Sequence, residues 1–206
     1  MEPSGEAAGL ASLLTSRRMC RDFGEDAIPE RTLEVVLAAA FRGPAAGNTV
    51  ALDLVVLDGD DVATYWDTSL DAQRRASFPW PGLLRAPVLV IPYVDPEAYV
   101  ARYAEPDKAH TGLGSGIEPW TVPYWWVDGG AAVMAMLLTA EAHGLGALLF
   151  GQFDHEPDLR RAFGVPDGRR ALGTVALGRP AGARSGSSSA RRGRPAPATR
   201  THAGRW

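Results

Sequence analysis

The sequence predicts a layered domain, α/β or α+β in class, in which helices cover both faces of one β-sheet. Two observations predict this architecture: helical and strand patterns are interspersed along the chain, and most strand segments are apolar on both faces. The composition agrees, because 46% hydrophobic and 22% charged residues are ordinary values for a globular protein. A length of 206 residues fits one domain, or one domain with an arm.

The individual elements follow from periodicity and from turn residues. Pro29 opens the second helix and Gly43-Pro44 ends it. The pattern breaks between residues 95 and 126, where Pro, Gly and aromatic residues crowd together and predict irregular structure. The predicted helices are 6–18, 30–42, 60–77, 127–143 and 156–163, and the predicted strands are 52–57, 87–93, 147–150 and 172–177.

The charge is distributed unevenly. Residues 181–206 carry six arginines and no acidic residue, which leaves 15 basic against 24 acidic residues, or −9, on residues 1–180. The Gly, Ser, Arg and Pro content of this tail predicts disorder on composition alone. A basic tail is also compatible with nucleic-acid binding, but no aromatic interleaving supports that reading. The terminal Trp206 is more typical of a segment that docks.

Composition excludes several classes of protein. The single Cys20 excludes an internal disulfide framework and a cysteine-based zinc site, and the four histidines lack ligand spacing, so no metal is predicted. The N-terminal residues lack the features of a signal peptide. The longest apolar stretch, 129–140, is too short to span a bilayer and predicts a buried helix. We expect a cytoplasmic protein without membrane contact.

Four features are candidates for chemistry. Arg17, Arg18 and Arg21 form a compact cluster suited to phosphate or an anionic ring, or alternatively a solvated helix end. The small residues at 45–48 allow a backbone to approach a flat ligand, and the glycines around strand 147–150 allow close backbone packing, although both patterns also occur in ordinary loops and strands. No GxGxxG pattern or P-loop occurs. Aromatic residues wall a planar substrate pocket or anchor a core: Tyr65, Trp66, Trp120, Tyr124, Trp125 and Trp126.

Taken together and in order, these segments resemble the nitroreductase family of flavin-dependent oxidoreductases over most of the chain. SRRMCRDF (16–23) is similar to that family's SRRSxRxF motif, and GPAAGNT (43–49) to its PSxxN-type loop. GLGALLFG (144–151) resembles its later glycine-bounded strand, and VALG followed by Arg-x-Arg resembles its C-terminal phosphate segment. WTVPYWWVDGGAA with the terminal HAGRW resembles, more specifically, an actinobacterial branch.

The resemblance implies an α+β fold, a three-layer α/β/α sandwich with a mixed, mainly antiparallel sheet. It implies an FMN-binding domain at 1–180 and a C-terminal arm at 181–206 that belongs to the same fold. The protein is then a homodimer with exchanged arms and FMN in the interface. NAD(P)H, or alternatively a deazaflavin, donates electrons, and a planar electron-poor small molecule of nitro or quinone type accepts them. No nucleic-acid partner is implied.

The resemblance also assigns roles to residues. Arg17 and Arg18, with Arg192 and Arg194 from the tail, hold the FMN phosphate, and Arg21 lies near the pyrimidine edge. The loop residues that approach the ring from the second subunit are Ala45, Ala46, Gly47 and Asn48. The backbone at the N5 edge is that of Leu149, Phe150 and Gly151. The candidate substrate walls are Tyr65, Trp66, Trp120, Tyr124 and Trp126. No side chain is assigned a catalytic role, because the flavin supplies the hydride chemistry.

The chain departs from the family pattern at three places. Met19 stands where the family has a serine that contacts phosphate, Ala45 replaces the serine of the loop, and residues 50–52 replace a Gln-Pro-Trp-like continuation. Each change removes a polar contact with the cofactor. Two alternatives to a reductase therefore stay open: a flavin-dependent dehydrogenase or oxidase of a biosynthetic intermediate, and a non-catalytic flavin-binding or storage protein.

Overall fold

The structure, a computed structural model, describes residues 5–182 and 193–205. Helices and strands are interspersed along the chain, as the sequence predicts. The helices are α1 (Gly5–Ser16), α2 (Glu30–Ala39), α3 (Asp60–Ser69), α4 (Ala72–Ala76), α5 (Pro96–Tyr103), α6 (Tyr124–Ala142) and α7 (Glu156–Ala162). The strands are β1 (Leu52–Asp58), β2 (Val88–Val94), β3 (Gly146–Phe150), β4 (Arg170–Ala171) and β5 (Thr174–Gly178).

The strands form one antiparallel sheet in the order β1-β2-β5-β3, with the short β4 also paired to β2. In the longest pairing, Leu52 of β1 lies opposite Val94 of β2, and Asp58 opposite Val88. All seven residues of β2 are buried, because neighbouring strands lie on both sides and helices cover both faces. The apolar run predicted as a strand is therefore the centre of the sheet.

Two hydrophobic layers lie on opposite faces of this sheet. Val88 and Val90 of β2 pack with residues of α2 and α6, whereas Leu89 and Ile91 pack with residues of α3 and α7. This alternation follows from the two-residue period of a strand. The predicted α+β sandwich with a mainly antiparallel sheet is confirmed.

Several predicted elements differ from the structure, and α6 begins at Tyr124 instead of residue 127. Residues 96–103 form α5 instead of irregular structure, because Asp95 accepts a hydrogen bond from the Glu97 N–H (3.0 Å) and a proline opens the first turn. The predicted helix 60–77 is two helices, since the chain becomes extended at Leu70. Strand β5 begins at 174 instead of 172, because Gly173 interrupts the chain with a φ of +116°.

The segment after α1 joins the edge of the sheet. Met19 forms a parallel bridge with Ala147 of β3, and the Cys20 N–H donates to the Ala147 carbonyl (2.9 Å). A Cβ added at Gly146 would meet the Cys20 Sγ at 2.7 Å, so glycine permits this approach. Two motifs more than 120 residues apart in the chain, SRRMCRDF and GLGALLFG, are therefore neighbours in space.

Within residues 5–182 and 193–205, no helix is long and apolar enough to cross a bilayer. The same part of the chain contains no group of histidine, cysteine or acidic side chains arranged to hold a metal ion.

Candidate functional site

Within the described residues, the arginine cluster contains buried donor atoms that make no hydrogen bond. Arg17 is half-buried, and its Nε and Nη1 atoms are buried without a hydrogen-bond partner among the described residues. Arg18 is exposed and donates from Nη1 to the Thr15 and Arg17 carbonyls (2.6 and 2.9 Å), so it caps the end of α1. Arg18 thus lies at a helix end, and the role of Arg17 in phosphate binding stays a prediction.

Two residues near Arg17 in the motif, Met19 and Arg21, make contacts of other kinds. The guanidinium of Arg21 lies 5.5 Å from the ring centroid of Trp80, in cation–π geometry. Met19, which replaces the serine of the family motif, packs against both hydrophobic layers. Met19 therefore contributes packing and no polar contact.

The loop of small residues adopts a specific conformation. Ala46–Asn48 form one 3₁₀ turn, in which Gly47 and Asn48 have positive φ values of +65° and +55°. The Asn48 N–H donates to the Ala45 carbonyl (2.9 Å), and the Thr49 hydroxyl donates to the Ala46 carbonyl (2.6 Å). The Asn48 side chain is exposed and makes no hydrogen bond to another described residue. Its amide is therefore free for a ligand.

Two side chains from distant elements hold this loop. Asp128 of α6 accepts a hydrogen bond from the Ala46 N–H at Oδ2 (2.7 Å), and Arg102 of α5 donates from Nε to the Gly47 carbonyl (2.8 Å). Arg102 also pairs with both carboxylate oxygens of Asp107 at 2.8 Å, which lowers the pKa of Asp107 to about 2. A cavity of about 230 Å³ lies beside the loop and is lined in part by Ala45, Asn48, Tyr99 and Asp128.

The end of β3 is next to a buried polar network. Thr174 Oγ1 is hydrogen bonded to the Tyr65 hydroxyl (2.8 Å) and accepts a hydrogen bond from Gln152 Nε2 (3.0 Å). The other amide atom, Gln152 Oε1, is buried without a partner within the described residues. Burial raises the pKa of Tyr65 well above its ordinary value, so this phenol stays protonated. Phe153 follows, 86% exposed and with a positive φ of +48°.

The predicted substrate residues fall into two separate groups. Tyr65 and Trp66 are buried in the α3 layer, where Trp66 stacks on Phe150 with ring centroids 5.8 Å apart. They line a cavity of about 130 Å³ that also touches Gly151 and Phe153. Trp120 is buried in a different cluster together with Tyr99 and Trp125. Tyr124 and Trp126 are each 42% exposed.

The C-terminal arginines are described only in part. Arg194 is exposed and forms no ion pair among the described residues. Arg192 and Trp206 lie outside the residues that the structure describes. Their predicted roles stay predictions.

Sequence reasoning missed Asp128, Arg102 and Gln152. Asp128 carried a usable signal, because it is the one charged residue between Tyr124 and Ala140 in an otherwise apolar helix, where a buried charge needs a partner. Arg102 and Gln152 carried none, since both lie in segments of mixed composition.

Comparison with known proteins agrees with this architecture. The model of the nitroreductase family matches residues 14–179. An NADH dehydrogenase from Thermus thermophilus is 29% identical over 184 residues, which cover 80% of this chain and 83% of that protein. A 4-nitrobenzoate reductase from Nocardioides sp. is 27% identical over 194 residues, which cover 81% of this chain and 78% of that protein.

The fold similarity extends to solved structures. The structure of an FMN-dependent nitroreductase from Clostridium difficile R20291 matches with a TM-score of 0.67 at 17% identity, covering 95% of this chain and 99% of that chain. The family match spans most of the chain and includes the arginine cluster, the 45–48 loop and strand β3. This chain is therefore an oxidoreductase that belongs to the nitroreductase family.

Proposed function

We propose that this protein is an FMN-dependent oxidoreductase that uses a reduced nicotinamide, NADH or NADPH, to reduce a planar, electron-poor small molecule of nitro or quinone type. Membership of the family and relatives named NADH dehydrogenase and 4-nitrobenzoate reductase support the reaction class. The observation that carries the proposal is the buried, unpartnered guanidinium edge of Arg17. Buried donors without partners are rare, and a phosphate oxygen satisfies them.

The residues present fit FMN. Arg17 and Arg18, joined by Arg192 and Arg194 from the arm, would hold its phosphate. Arg21 would supply a fixed positive charge near the pyrimidine edge. The exposed amide of Asn48, presented by the Ala45–Ala46–Gly47 turn, and the backbone of Leu149, Phe150 and Gly151 would contact the ring system. When bound, FMN supplies the hydride-transfer chemistry, and the protein binds, orients and shields it.

We also propose that the protein is a homodimer. None of the residues of α1 is buried, although Leu10 and Leu14 are apolar and 53% and 43% exposed. A helix of this length is marginal in water unless another surface covers it. Val127 of α6, a helix that contacts α1, is also apolar and 49% exposed. Val127→Glu should give a monomer in light scattering and lower the flavin content; a dimer with full flavin content would contradict this interface.

The arm completes the proposal. Residues 181–206 lie beyond the family match, and our proposal is that they belong to the same fold as residues 1–180. In the dimer, the arm would reach the neighbouring subunit and Trp206 would anchor it. Deleting residues 191–206 should reduce both flavin content and dimer stability, whereas a fully flavinated, equally stable truncated dimer would show that the arm is dispensable.

The substrate would lie between the two aromatic groups. Tyr65 and Trp66 support one side through the cavity that they line, while Tyr124 and Trp126 present exposed rings and Trp120 backs Tyr124 at a centroid distance of 6.3 Å. Trp126→Ala should change the ratio of kcat/KM between nitro and quinone substrates without changing flavin content. Loss of flavin alone would contradict this placement.

Anaerobic stopped-flow mixing tests the reaction itself. Bleaching of the flavin absorption by NADH or NADPH, followed by recovery on addition of a nitrobenzoate or a quinone, is the expected result. Bleaching by a reduced deazaflavin alone would identify a deazaflavin, and not a nicotinamide, as the electron donor. No bleaching by any donor, despite bound flavin, would identify a flavin-binding protein or an enzyme reduced by its own substrate.

The proposal includes a cytoplasmic location and, from the WTVPYWWVDGGAA and HAGRW segments, an actinobacterial branch of the family.

A further inference from the structure

The 45–48 loop depends on a buried carboxylate from a distant part of the chain. Asp128 is 9% exposed, and its Oδ2 accepts two hydrogen bonds, from the Ala46 N–H (2.7 Å) and from the Tyr99 hydroxyl (2.8 Å). Ala46 and Asp128 are 82 positions apart, so this contact is made only in the folded protein. A hydrogen bond to an ionised acceptor is stronger than a neutral one, and the second donor offsets part of the cost of burying the charge.

The Tyr99 side of this contact is fixed by packing. Tyr99 is 2% exposed, and its ring lies edge-on to Trp120 and Trp125 with centroid distances of 5.8 and 6.1 Å. Burial and the neighbouring carboxylate raise the pKa of Tyr99 above its ordinary value, so its hydroxyl keeps the proton that it donates. The aromatic cluster therefore holds the donor, and the donor holds the carboxylate.

The loop conformation needs such support. Gly47 and Asn48 are consecutive residues with positive φ, a region that Gly adopts freely and Asn only at a modest cost. The Tyr103 ring lies against Gly47, where a Cβ would approach its Cε2 to 2.8 Å. The carboxylate on the preceding N–H thus orients the turn that presents the Asn48 amide.

We infer that Asp128, held by Tyr99, is a positioning residue that fixes the Ala46–Asn48 turn in the conformation that contacts the flavin ring. The inference rests on the proposed function, because the turn has a ligand to face only if FMN binds. It assigns the buried aromatic residues around Tyr99 to support of the cofactor loop. In this role Asp128 acts through the turn.

A graded set of variants tests the inference in the purified full-length holoprotein. Asp128→Ala should raise the Kd for FMN about 10-fold to 100-fold, the effect of losing a charge-assisted hydrogen bond. Asp128→Asn should recover part of the loss, because its amide oxygen still accepts from the Ala46 N–H. Tyr99→Phe, which keeps the ring and the carboxylate, should raise Kd several-fold. Asp58→Ala, an exposed aspartate at the end of β1, is the matched control.

The readouts separate positioning from general stability. FMN fluorescence quenching gives Kd, and visible circular dichroism reports the asymmetry of the flavin environment, both well below the melting temperature. A positioning role predicts changed dichroism and FMN binding that is weakest in Asp128→Ala, intermediate in Asp128→Asn and strongest in wild type. Variants that melt earlier but bind FMN with wild-type Kd and dichroism would overturn the inference.

The possible outcomes distinguish failure of the inference from failure of the proposed function. If Asp128→Ala does not fold, Tyr99→Phe decides, and wild-type Kd and dichroism in that variant would overturn the inference. If the wild-type protein itself binds no FMN, the proposed function fails first and the inference fails with it. If the wild type and all variants bind FMN equally, only the inference fails.

Discussion

Arg17 should affect cofactor affinity and the stability of the cofactor-free protein in opposite directions. Its Nε and Nη1 are buried without partners among the described residues, and an unsatisfied buried donor costs about 1–3 kcal/mol. Arg17→Met keeps an unbranched apolar stem and removes the charge. Without FMN, its free energy of unfolding should therefore equal or exceed that of wild type by up to about 3 kcal/mol, or up to about 10 °C in Tm.

With FMN, the same variant should bind more weakly. Loss of one charge-assisted hydrogen bond to phosphate, about 1.5–3 kcal/mol, raises the Kd for FMN about 10-fold to 150-fold. Riboflavin, which lacks the phosphate, should bind wild type and Arg17→Met equally. Urea denaturation followed by circular dichroism measures stability, and fluorescence quenching measures both affinities.

Arg31→Met is the matched control, because Arg31 is an exposed arginine of α2. The control should change neither quantity. Unchanged FMN affinity in Arg17→Met, or an equal loss of affinity for FMN and riboflavin, would refute the assignment of Arg17 to the phosphate. Destabilisation of the cofactor-free protein would refute the argument from its unpartnered donors.

Three further outcomes are expected. Tyr65→Phe should lower the free energy of unfolding by about 1 kcal/mol by removing a core hydrogen bond, whereas Tyr93→Phe should leave it unchanged or raise it, because that hydroxyl is buried without a partner among the described residues; urea denaturation showing equal losses would contradict this. Gly47→Ala should destabilise more than Gly112→Ala, since both have positive φ but only Gly47 has a tyrosine ring where the Cβ would lie; thermal melts showing equal losses would exclude the steric contribution. An arginine partner lowers the pKa of Asp107 to about 2, so the pair's stabilisation is complete above about pH 5 and is lost as pH falls toward 2; Asp107→Asn should flatten that part of the stability profile, and an unchanged profile would contradict the pairing.

Local patterns predicted most of the fold because each reports on its own segment. The apolar run of β2 identified a central strand, and the small residues at 144–151 identified a strand that another segment approaches closely. The prediction of irregular structure at 95–126 was wrong over α5, where the start signal Asp95-Pro96 was present but the surrounding aromatic, Pro and Gly residues hid it. Helix boundaries also shifted where Leu70 and Asp71, both outside helical conformation, divide one pattern into two helices.

The candidate site depends on contacts that no local pattern encodes. The arginine motif, the small-residue loop and the glycine-bounded strand were visible in the sequence, but the Asp128 carboxylate that holds the loop lies 82 positions away. Aromatic composition likewise could not separate Tyr65 and Trp66 from Trp120, which the fold places in different clusters. Whether these residues line a substrate pocket stays a prediction.

The most direct test of the central claim is the visible absorption spectrum of the purified protein, before and after addition of FMN. The account predicts flavin absorption bands that stay with the protein through gel filtration, with one FMN per chain at saturation. A colourless protein that retains no added FMN would contradict it.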